Sequence, residues 1–391
     1  MGSQRKHPGT QYPGPKPRAA RRRHPLRTIF LGLLAAAILV PVAAGAYLYN
    51  LGQIYQSKTN IIASPFPAES TRPQPHAQGP EAAGSGGPGG APGAGAAAGA
   101  APGTAAGTDA QEADPYADAS LNILVMGSDS RGATADEALS GANSNQRADT
   151  LMLVHIPADR SRIYSISLMR DLWIGIPDHG RAKINAALAF GGVPLMVQTV
   201  EALFQQRIDH VAMIDFEGFK GMTDALGGVP VNVPEPFVSR HDNFAFSAGT
   251  QTLDGEHALE FVRERYAFAD GDYQRVRNQQ AFVRALFAKN LSPETLLNPV
   301  KLHNVLSAMA PFISVDSGLD AATLARLALE LRDVRAGDMV MFTLPTLGIG
   351  TSADGQSIVL PDPWAVESIA QALADDSLDT YVASGALAGG H

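Results

Sequence analysis

Residues 262–280 read VRERYAFADGDYQRVRNQQ, with basic side chains that alternate with acidic ones instead of forming a run. In an extended segment, side chains at positions i and i+2 point to the same face of the chain. This spacing predicts a strand on which Arg263 and Arg265 lie side by side, with Glu264 turned away. Two guanidinium groups would then face one ligand.

The second half of the stretch predicts a turn followed by a helix. The residues ADGD favour a turn, and Asp272 is suited to cap a helix that starts at Tyr273. On that helix Arg275 and Gln279 are four positions apart, so they share one face with Asp272. Strand and helix together could direct their polar groups at one anion, and guanidinium forks suit phosphate oxygens well. The alternative is a solvated charged hairpin and helix start.

The segments around this stretch predict an α/β fold. Residues 121–127, LNILVMG, form an apolar run that is followed by a polar loop, which is typical of a buried strand. Residues 151–156 and 162–168 are joined by a short polar link and predict a hairpin. Apolar runs and helical periods alternate through the rest of the body. This alternation predicts a three-layer αβα sandwich over a mixed β-sheet, preceded by one transmembrane helix and a disordered linker.

Composition excludes several classes of function. The chain has 391 residues and no cysteine, so thiol nucleophiles, zinc–thiolate sites and disulfides are excluded. Its net charge is −8, and the first 27 residues contribute +8 to that total, which leaves −16 on the remainder. Nucleic-acid binding requires a basic face, so an acidic body argues against nucleic acid as a partner.

The N-terminal part predicts a membrane anchor. Residues 1–27 are basic and rich in proline, and they predict a disordered cytoplasmic tail. Residues 28–49 are apolar and uncharged, long enough to cross a bilayer, and the basic flank places the N-terminus in the cytoplasm. A cleaved signal peptide is the alternative. Residues 50–117 predict an extracellular stalk and an Ala/Gly/Pro-rich linker, and residues 118–391 predict the extracellular domain.

Three polar clusters flank the predicted strands and helices. Asp129 follows the first strand and Asp149 begins the next, after Arg147, so the two carboxylates could meet and hold Mg²⁺ (or Mn²⁺) with a substrate phosphate. Loop capping is the alternative for both. Arg170 ends the hairpin, where an arginine often lies at a solvated rim. Lys183 opens the next predicted helix, which could equally be a solvated helix start.

Taken in order, the motifs resemble those of the LytR-CpsA-Psr family of bacterial cell-envelope enzymes. The resemblance covers residues 122–289 and rests on NILVMGSDSR, RADTLMLVHI, SLMRDLWIGIP, KINAALAFGG, IDFEGF, DALGGVPVNV, LDGEHALEFVRERY and DGDYQRVRNQQ. It implies an αβα fold outside the membrane and one membrane helix. It also implies transfer of a glycopolymer phosphate from a polyprenyl pyrophosphate carrier to peptidoglycan, which forms a phosphodiester.

The resemblance also implies roles for individual residues. Asp129 and Asp149 match the aspartates associated with the magnesium-pyrophosphate group. Lys183 matches the lysine of the K-I-N motif and would bind the pyrophosphate. The matching catalytic and pyrophosphate-binding polar residues are Arg147, Arg170, Arg263, Arg265, Arg275 and Gln279.

For the lipid, the resemblance implies that apolar helices after Lys183 and after Asp272 line a slot for the polyprenyl tail. Two other functions remain open from the residues alone. One is a non-catalytic envelope or regulatory protein that binds polyprenyl phosphates. The other is a polyprenyl-pyrophosphate hydrolase.

Overall fold

The computed structural model of the chain describes residues 52–53, 55–74, 119–128, 148–290, 295 and 298–385. The chain divides into two compact units, Met1–Asn50 and Leu51–His391, and all described residues belong to the second. The predicted tail, the predicted membrane span at 28–49, Asp129 and Arg147 therefore lie outside the described residues.

A seven-stranded sheet forms the centre of the described part of the chain. Its order is β1 (Asn60–Ile61), β12 (Ser314–Val315), β7 (His210–Asp215), β2 (Leu121–Ser128), β3 (Ala148–Ile156), β4 (Ile163–Ser167) and β13 (Met339–Thr343). The β2–β3 and β3–β4 pairs are antiparallel, whereas β2–β7 and β4–β13 are parallel. The mixed sheet is thus confirmed, and so is the predicted hairpin of β3 and β4.

The other described strands form four two-stranded sheets that are separate from the central sheet. They are β5 (Trp173–Ile176) with β6 (Gly180–Lys183), β8 (Val229–Val233) with β11 (Gly249–Leu253), β9 (Phe237–Val238) with β10 (Ala245–Phe246), and β14 (Thr346–Thr351) with β15 (Ser357–Pro361). The helices that the structure describes are α1 (Ala186–Phe204), α2 (Phe216–Ala225), α3 (Gly255–Arg263), α4 (Asp272–Asn290), α5 (Pro299–Met309), α6 (Ala321–Glu330), α7 (Pro363–Ala374) and α8 (Leu378–Ala383).

Helices cover both faces of the sheet because its strands are apolar on both sides. Leu124 and Leu153 pair across β2 and β3 and belong to a core that contains α1, α7 and α8. Ile123 and Val154, the next pair, pack in a second core on the opposite face, beneath α4 and α6. Alternating residues of each strand therefore belong to different cores, as the two-residue period of a strand requires.

Residues 55–74, which the sequence placed in the stalk, pack instead against the body. The strand β1 extends the central sheet through a parallel pairing with β12. Ile62 is 1% exposed, and Tyr55, 2% exposed, donates a hydrogen bond from its hydroxyl to the Leu319 carbonyl at 3.1 Å. Arg72 forms an ion pair with the buried Glu201 at 2.7 Å. This segment is part of the folded domain.

Helix α1 is long and apolar enough to cross a membrane, but 61% of its apolar window is buried inside the fold. It is kinked at Gly191 and Gly192, where the backbone leaves helical geometry. The two adjacent glycines thus divide α1 into two helical segments. The burial of α1 is that of a core helix.

Candidate active site

The site is built where α3 ends and α4 begins. Asp254 caps α3 by accepting the His257 amide, and the helix runs as far as Arg263 before Glu264 turns the chain into an extended conformation. The prediction that Arg263 and Arg265 share one face of a strand is therefore wrong. Arg263 is the last helical residue, and Arg265 lies in the loop that leads to α4.

Asp272, the first residue of α4, contacts three arginines instead of capping the helix. Its carboxylate lies 3.1 Å from Nη2 of Arg275, 3.2 Å from Nη1 of Arg265 and 3.7 Å from Nε of Arg170. We call these four residues the Asp272 cluster. Burial raises the pKa of Asp272, but the charges of Arg275, Arg170 and Arg265 outweigh it, so the pKa lies below its ordinary value.

Arg170 links the Asp272 cluster to Asp149. Its Nη1 donates to Oδ1 of Asp149 at 2.6 Å. Within the described part of the chain, the buried Nε groups of Arg170 and Arg275 have no hydrogen-bond partner. Buried N–H donors are rarely left unpaired, because the loss of hydration costs free energy. Burial also lowers the pKa of Arg275, whose side chain is only 5% exposed. The Nε of Arg170 already faces the carboxylates of Asp272 at 3.7 Å and Asp171 at 3.8 Å, so it is the Nε of Arg275 that indicates a place for an anion.

Two more of the predicted residues lie beside the cluster. The guanidinium of Arg263 stacks over the Phe216 ring, with 4.4 Å between its carbon and the ring centroid. The Gln279 amide donates to the Val262 carbonyl at 3.3 Å, and the side chain is buried. Arg277, which lies between the positions of Arg275 and Gln279 in sequence, pairs instead with Asp270 and Gln274 at the surface.

A cavity of about 500 Å³ opens beside these polar groups. It lies between the second face of the sheet, with Val125 and Met152, and helices α2, α3 and α4. Its walls are mostly apolar and include Phe216, Phe219, Met222, Leu259, Val262, Phe282, Val283 and Leu286. The size is typical of a site for a small ligand. The site is thus an apolar cavity with a cationic polar end.

The structure brings most of the predicted site residues together at this cavity. Those that line it are Asp149, Arg170, Arg263, Arg265, Arg275 and Gln279. Lys183 does not line it: this residue ends β6 instead of opening a helix, and its Nζ lies 3.3 Å from Asp171. The role of Lys183 stays a prediction. Asp129 lies outside the described residues, but Ser128 before it pairs with Ala148, so the two strand ends that carry the aspartates meet.

The helix that follows Lys183 does not line the cavity. Helix α1 packs on the opposite face of the sheet, and α2 and α3 join α4 in forming the walls. The helix directly after Lys183 thus does not line this cavity, whereas the helix that begins at Asp272 does, and a slot for the polyprenyl tail stays a prediction. The sequence also missed the central role of Asp272, although its position three residues before Arg275 on one helix face was a usable signal.

Comparisons with known proteins point to a single family. The sequence profile of the LytR_cpsA_psr family matches residues 95–375. The probable cell wall biosynthesis protein LcpB of Corynebacterium glutamicum is 38% identical over 232 residues, which cover 58% of this chain and 55% of the relative. Polyisoprenyl-teichoic acid–peptidoglycan teichoic acid transferase TagU of Enterococcus faecalis is 31% identical over 213 residues, covering 54% of this chain and 66% of the relative. The chain thus spans between about half and two thirds of the length of these curated relatives.

Solved structures share the fold. TagV of B. subtilis superposes with a TM-score of 0.57 at 24% identity, covering 66% of this chain and 98% of that chain. A LytR-Csp2A-Psr enzyme from Actinomyces oris gives a TM-score of 0.52 at 25% identity, covering 66% of this chain and 90% of that chain. Because the family profile spans most of the sequence and the sheet is shared with these structures, the chain belongs to the LytR_cpsA_psr family.

Proposed function

We propose that the chain is a cell-wall glycopolymer transferase. It moves a glycan phosphate from a polyprenyl pyrophosphate carrier onto peptidoglycan and forms a phosphodiester. The observation that carries this proposal is the junction of the Asp272 cluster with a largely apolar cavity of about 500 Å³. A polyprenyl pyrophosphate has the matching chemistry, since it joins a strongly anionic head to a long apolar chain.

The apolar walls suit the polyprenyl chain. Rings and aliphatic side chains from three helices surround the cavity, including Phe219 from α2, Leu259 from α3 and Leu286 from α4. Transfer of apolar surface from water to such walls contributes about 25 cal/mol for each Å² that is buried. The walls therefore bind the part of the donor that carries no charge, and the guanidinium groups are left to recognise the head.

The Asp272 cluster suits the pyrophosphate. The carboxylate holds Arg170, Arg265 and Arg275 in place before any ligand arrives, so little reorganisation is needed on binding. The Nε of Arg275, which has no hydrogen-bond partner among the described residues, adds one donor. Because the neighbouring cavity walls are largely apolar, these charges interact more strongly than they would in bulk water.

The proposed reaction is a phosphoryl transfer. A hydroxyl oxygen of peptidoglycan attacks the phosphorus next to the glycan, and the bond from that phosphorus to the bridging oxygen breaks. The products are a glycan–peptidoglycan phosphodiester and polyprenyl monophosphate, and the hydroxyl loses its proton. Such reactions require positioning and neutralisation of charge more than covalent help from the protein. The arginines of the cluster are placed to stabilise the charge that develops on the leaving phosphate.

A magnesium ion is part of the proposal, and the residues fit it. Magnesium takes oxygen ligands and is often held by one or two carboxylates together with substrate phosphates. Asp149 offers a carboxylate on the cavity wall, and its predicted partner is Asp129. Among the described residues no group of three or more His, Asp or Glu side chains could hold a metal, so the substrate's phosphates would complete the set. The ion would neutralise pyrophosphate charge.

The same proposal includes a place in the cell. We infer that residues 28–49 anchor the chain in the membrane, with the N-terminus in the cytoplasm and the domain outside. The uncharged apolar span and its basic flank support this orientation. The membrane would then hold the lipid-linked donor on the side where peptidoglycan lies.

A reconstituted transfer assay tests the proposal against the two other functions. The full chain in detergent is mixed with a lipid-linked glycan pyrophosphate and peptidoglycan fragments. A glycan–peptidoglycan phosphodiester together with polyprenyl monophosphate supports the transferase. Free glycan phosphate, formed with or without an acceptor, would identify a hydrolase. Binding of the donor without cleavage would identify a lipid-binding regulatory protein.

A further inference from the structure

Arg240 lines the same cavity, although neither its sequence context nor the motifs pointed to it. It lies between β9 and β10, in the hairpin of residues 237–246. Phe237 and Phe246 hold this hairpin against α3 through stacked rings with centroids 4.6 Å apart and through contacts with Phe261. The side chain of Arg240 therefore projects from a segment whose position is fixed by packing.

Glu264 joins the backbone of Arg240 to that of Arg265. Its Oε2 accepts the Arg240 amide at 2.6 Å. Its Oε1 accepts three successive amides, from Arg265 at 2.8 Å, Tyr266 at 2.6 Å and Ala267 at 3.0 Å. Glu264 is 4% exposed, so one buried carboxylate fixes both the hairpin and the loop that carries Arg265. Successive amides of this kind form a nest for an anion, here supplied by the protein itself.

The carboxylates nearest Arg240 are already engaged. The carboxylate of Glu264 accepts the four amides. The carboxylate of Glu260 contacts His241 at 3.0 Å and accepts a hydrogen bond from the Ser239 hydroxyl at 3.2 Å. Within the part of the chain that the structure describes, no carboxylate pairs with the Arg240 guanidinium. Arg240 is an exposed residue at the rim of the cavity, so water solvates its guanidinium in place of a counter-ion, and a ligand anion at the rim could replace that water.

We propose that Arg240 is a further anion-binding residue of this site, and that Glu264 is a positioning residue that fixes the backbone of both Arg240 and Arg265 beside the cavity. The inference rests on the proposed function, since the anion would be a phosphate of the lipid-linked donor. Arg240 then contacts the head group from the hairpin side, and the Asp272 cluster contacts it from α4.

Binding of a short lipid pyrophosphate tests this assignment. Farnesyl pyrophosphate and the uncharged alcohol farnesol are titrated against the full chain in detergent by calorimetry. Arg240→Gln should raise the Kd for farnesyl pyrophosphate about tenfold, the size of one lost charged hydrogen bond. It should leave the Kd for farnesol within about twofold of wild type. The matched control is Arg284→Gln on the exposed side of α4, which removes the same charge outside the cavity.

Glu264→Gln tests the positioning role. It should weaken farnesyl pyrophosphate binding more than farnesol binding. In the double variant with Arg240→Gln, the fold-loss in affinity for farnesyl pyrophosphate should be smaller than the product of the two single fold-losses. Both changes remove the same interaction, so their effects should not multiply. A fold-loss in the double variant that equals the product of the two single fold-losses would overturn the positioning role of Glu264. If Glu264→Gln does not fold, Arg240→Gln still tests the anion contact.

Failure of the inference and failure of the proposed function give different results. If Arg275→Lys weakens farnesyl pyrophosphate binding while Arg240→Gln matches Arg284→Gln, the function stands and Arg240 is not an anion contact. Equal losses for farnesyl pyrophosphate and farnesol in Arg240→Gln would mean that the cavity was distorted, and would also overturn the contact. If wild type binds the pyrophosphate no more tightly than farnesol, both proposals fail.

Discussion

Asp272→Asn removes the one carboxylate that three arginines share, with almost no change in shape. In the wild type it lies 3.1–3.7 Å from Arg275, Arg265 and Arg170, and its side chain is 16% exposed. Removing one partner of a buried ion pair costs about 3–5 kcal/mol, because the remaining charge stays buried and unpaired. Partial exposure lets water screen some of this charge. We therefore expect the free energy of unfolding to fall by about 3 kcal/mol at pH 7.

The expected loss depends on pH with a definite sign. The pKa of Asp272 is lower in the folded protein than in the unfolded chain, so its stabilisation is present above the unfolded value of about 3.9. The stabilisation is lost as the pH falls through the folded pKa, where wild type becomes as neutral as the variant. The difference between the two proteins should therefore be largest near neutral pH and shrink toward pH 3.

Urea denaturation of the full chain in detergent, followed by circular dichroism, measures this difference. The control is Asp270→Asn, two residues earlier, which removes a surface pair with Arg277 whose side chains are 42% and 43% exposed. Such pairs contribute about 0–1 kcal/mol. Inorganic pyrophosphate should also stabilise Asp272→Asn more than wild type, since it replaces the missing negative charge. Equal losses in the two variants at pH 7, or a difference that does not shrink as the pH falls from 7 to 3, would refute this role of Asp272.

Three further predictions concern activity and topology. Arg265→Lys should lower transfer about thirtyfold, as expected for losing about 2 kcal/mol of bidentate contact, whereas Arg277→Lys should be nearly silent in the same assay. Equal losses of transfer in Arg265→Lys and Arg277→Lys would mean that the pyrophosphate site lies elsewhere. Asp149→Ala should abolish magnesium-dependent turnover while the circular dichroism spectrum is retained, and unaltered turnover with a chelator would exclude the metal. Reporter fusions after Gly107 should be active as exported alkaline phosphatase and inactive as β-galactosidase, and the reverse pattern would contradict an external domain.

The parts of the site that the sequence predicts correctly depend on local periodicity. Arg275 and Gln279 lie on one helix, so their spacing alone places them together. The strand assigned to Arg263 and Arg265 is wrong because the spacing argument requires an extended backbone. Helix α3 runs from Gly255 to Arg263, so Arg263 has a helical backbone and the two-residue period of a strand does not apply to it.

The remaining features depend on the order of strands in the sheet. Helices α1 and α4 both carry apolar residues, and only the sheet topology puts the cavity beneath α4 and not beneath α1. The edge strand β1 has two residues, too few for a periodic pattern, and its pairing with β12 joins segments more than 250 residues apart. The contact between Glu264 and the Arg240 amide could not be predicted for the same reason, because Arg240 lies in a separate hairpin.

A label on one of the two donor phosphorus atoms distinguishes phosphoryl transfer from cleavage of a sugar–oxygen bond. A donor labelled at the glycan-side phosphorus is incubated with the full chain and peptidoglycan fragments, and the products are separated and counted. We expect the label in the glycan–peptidoglycan phosphodiester, with one unlabelled polyprenyl monophosphate released per link. Label that stays with the lipid as polyprenyl pyrophosphate would show that a sugar–oxygen bond was broken instead, and would contradict phosphoryl transfer at the Asp272 cluster.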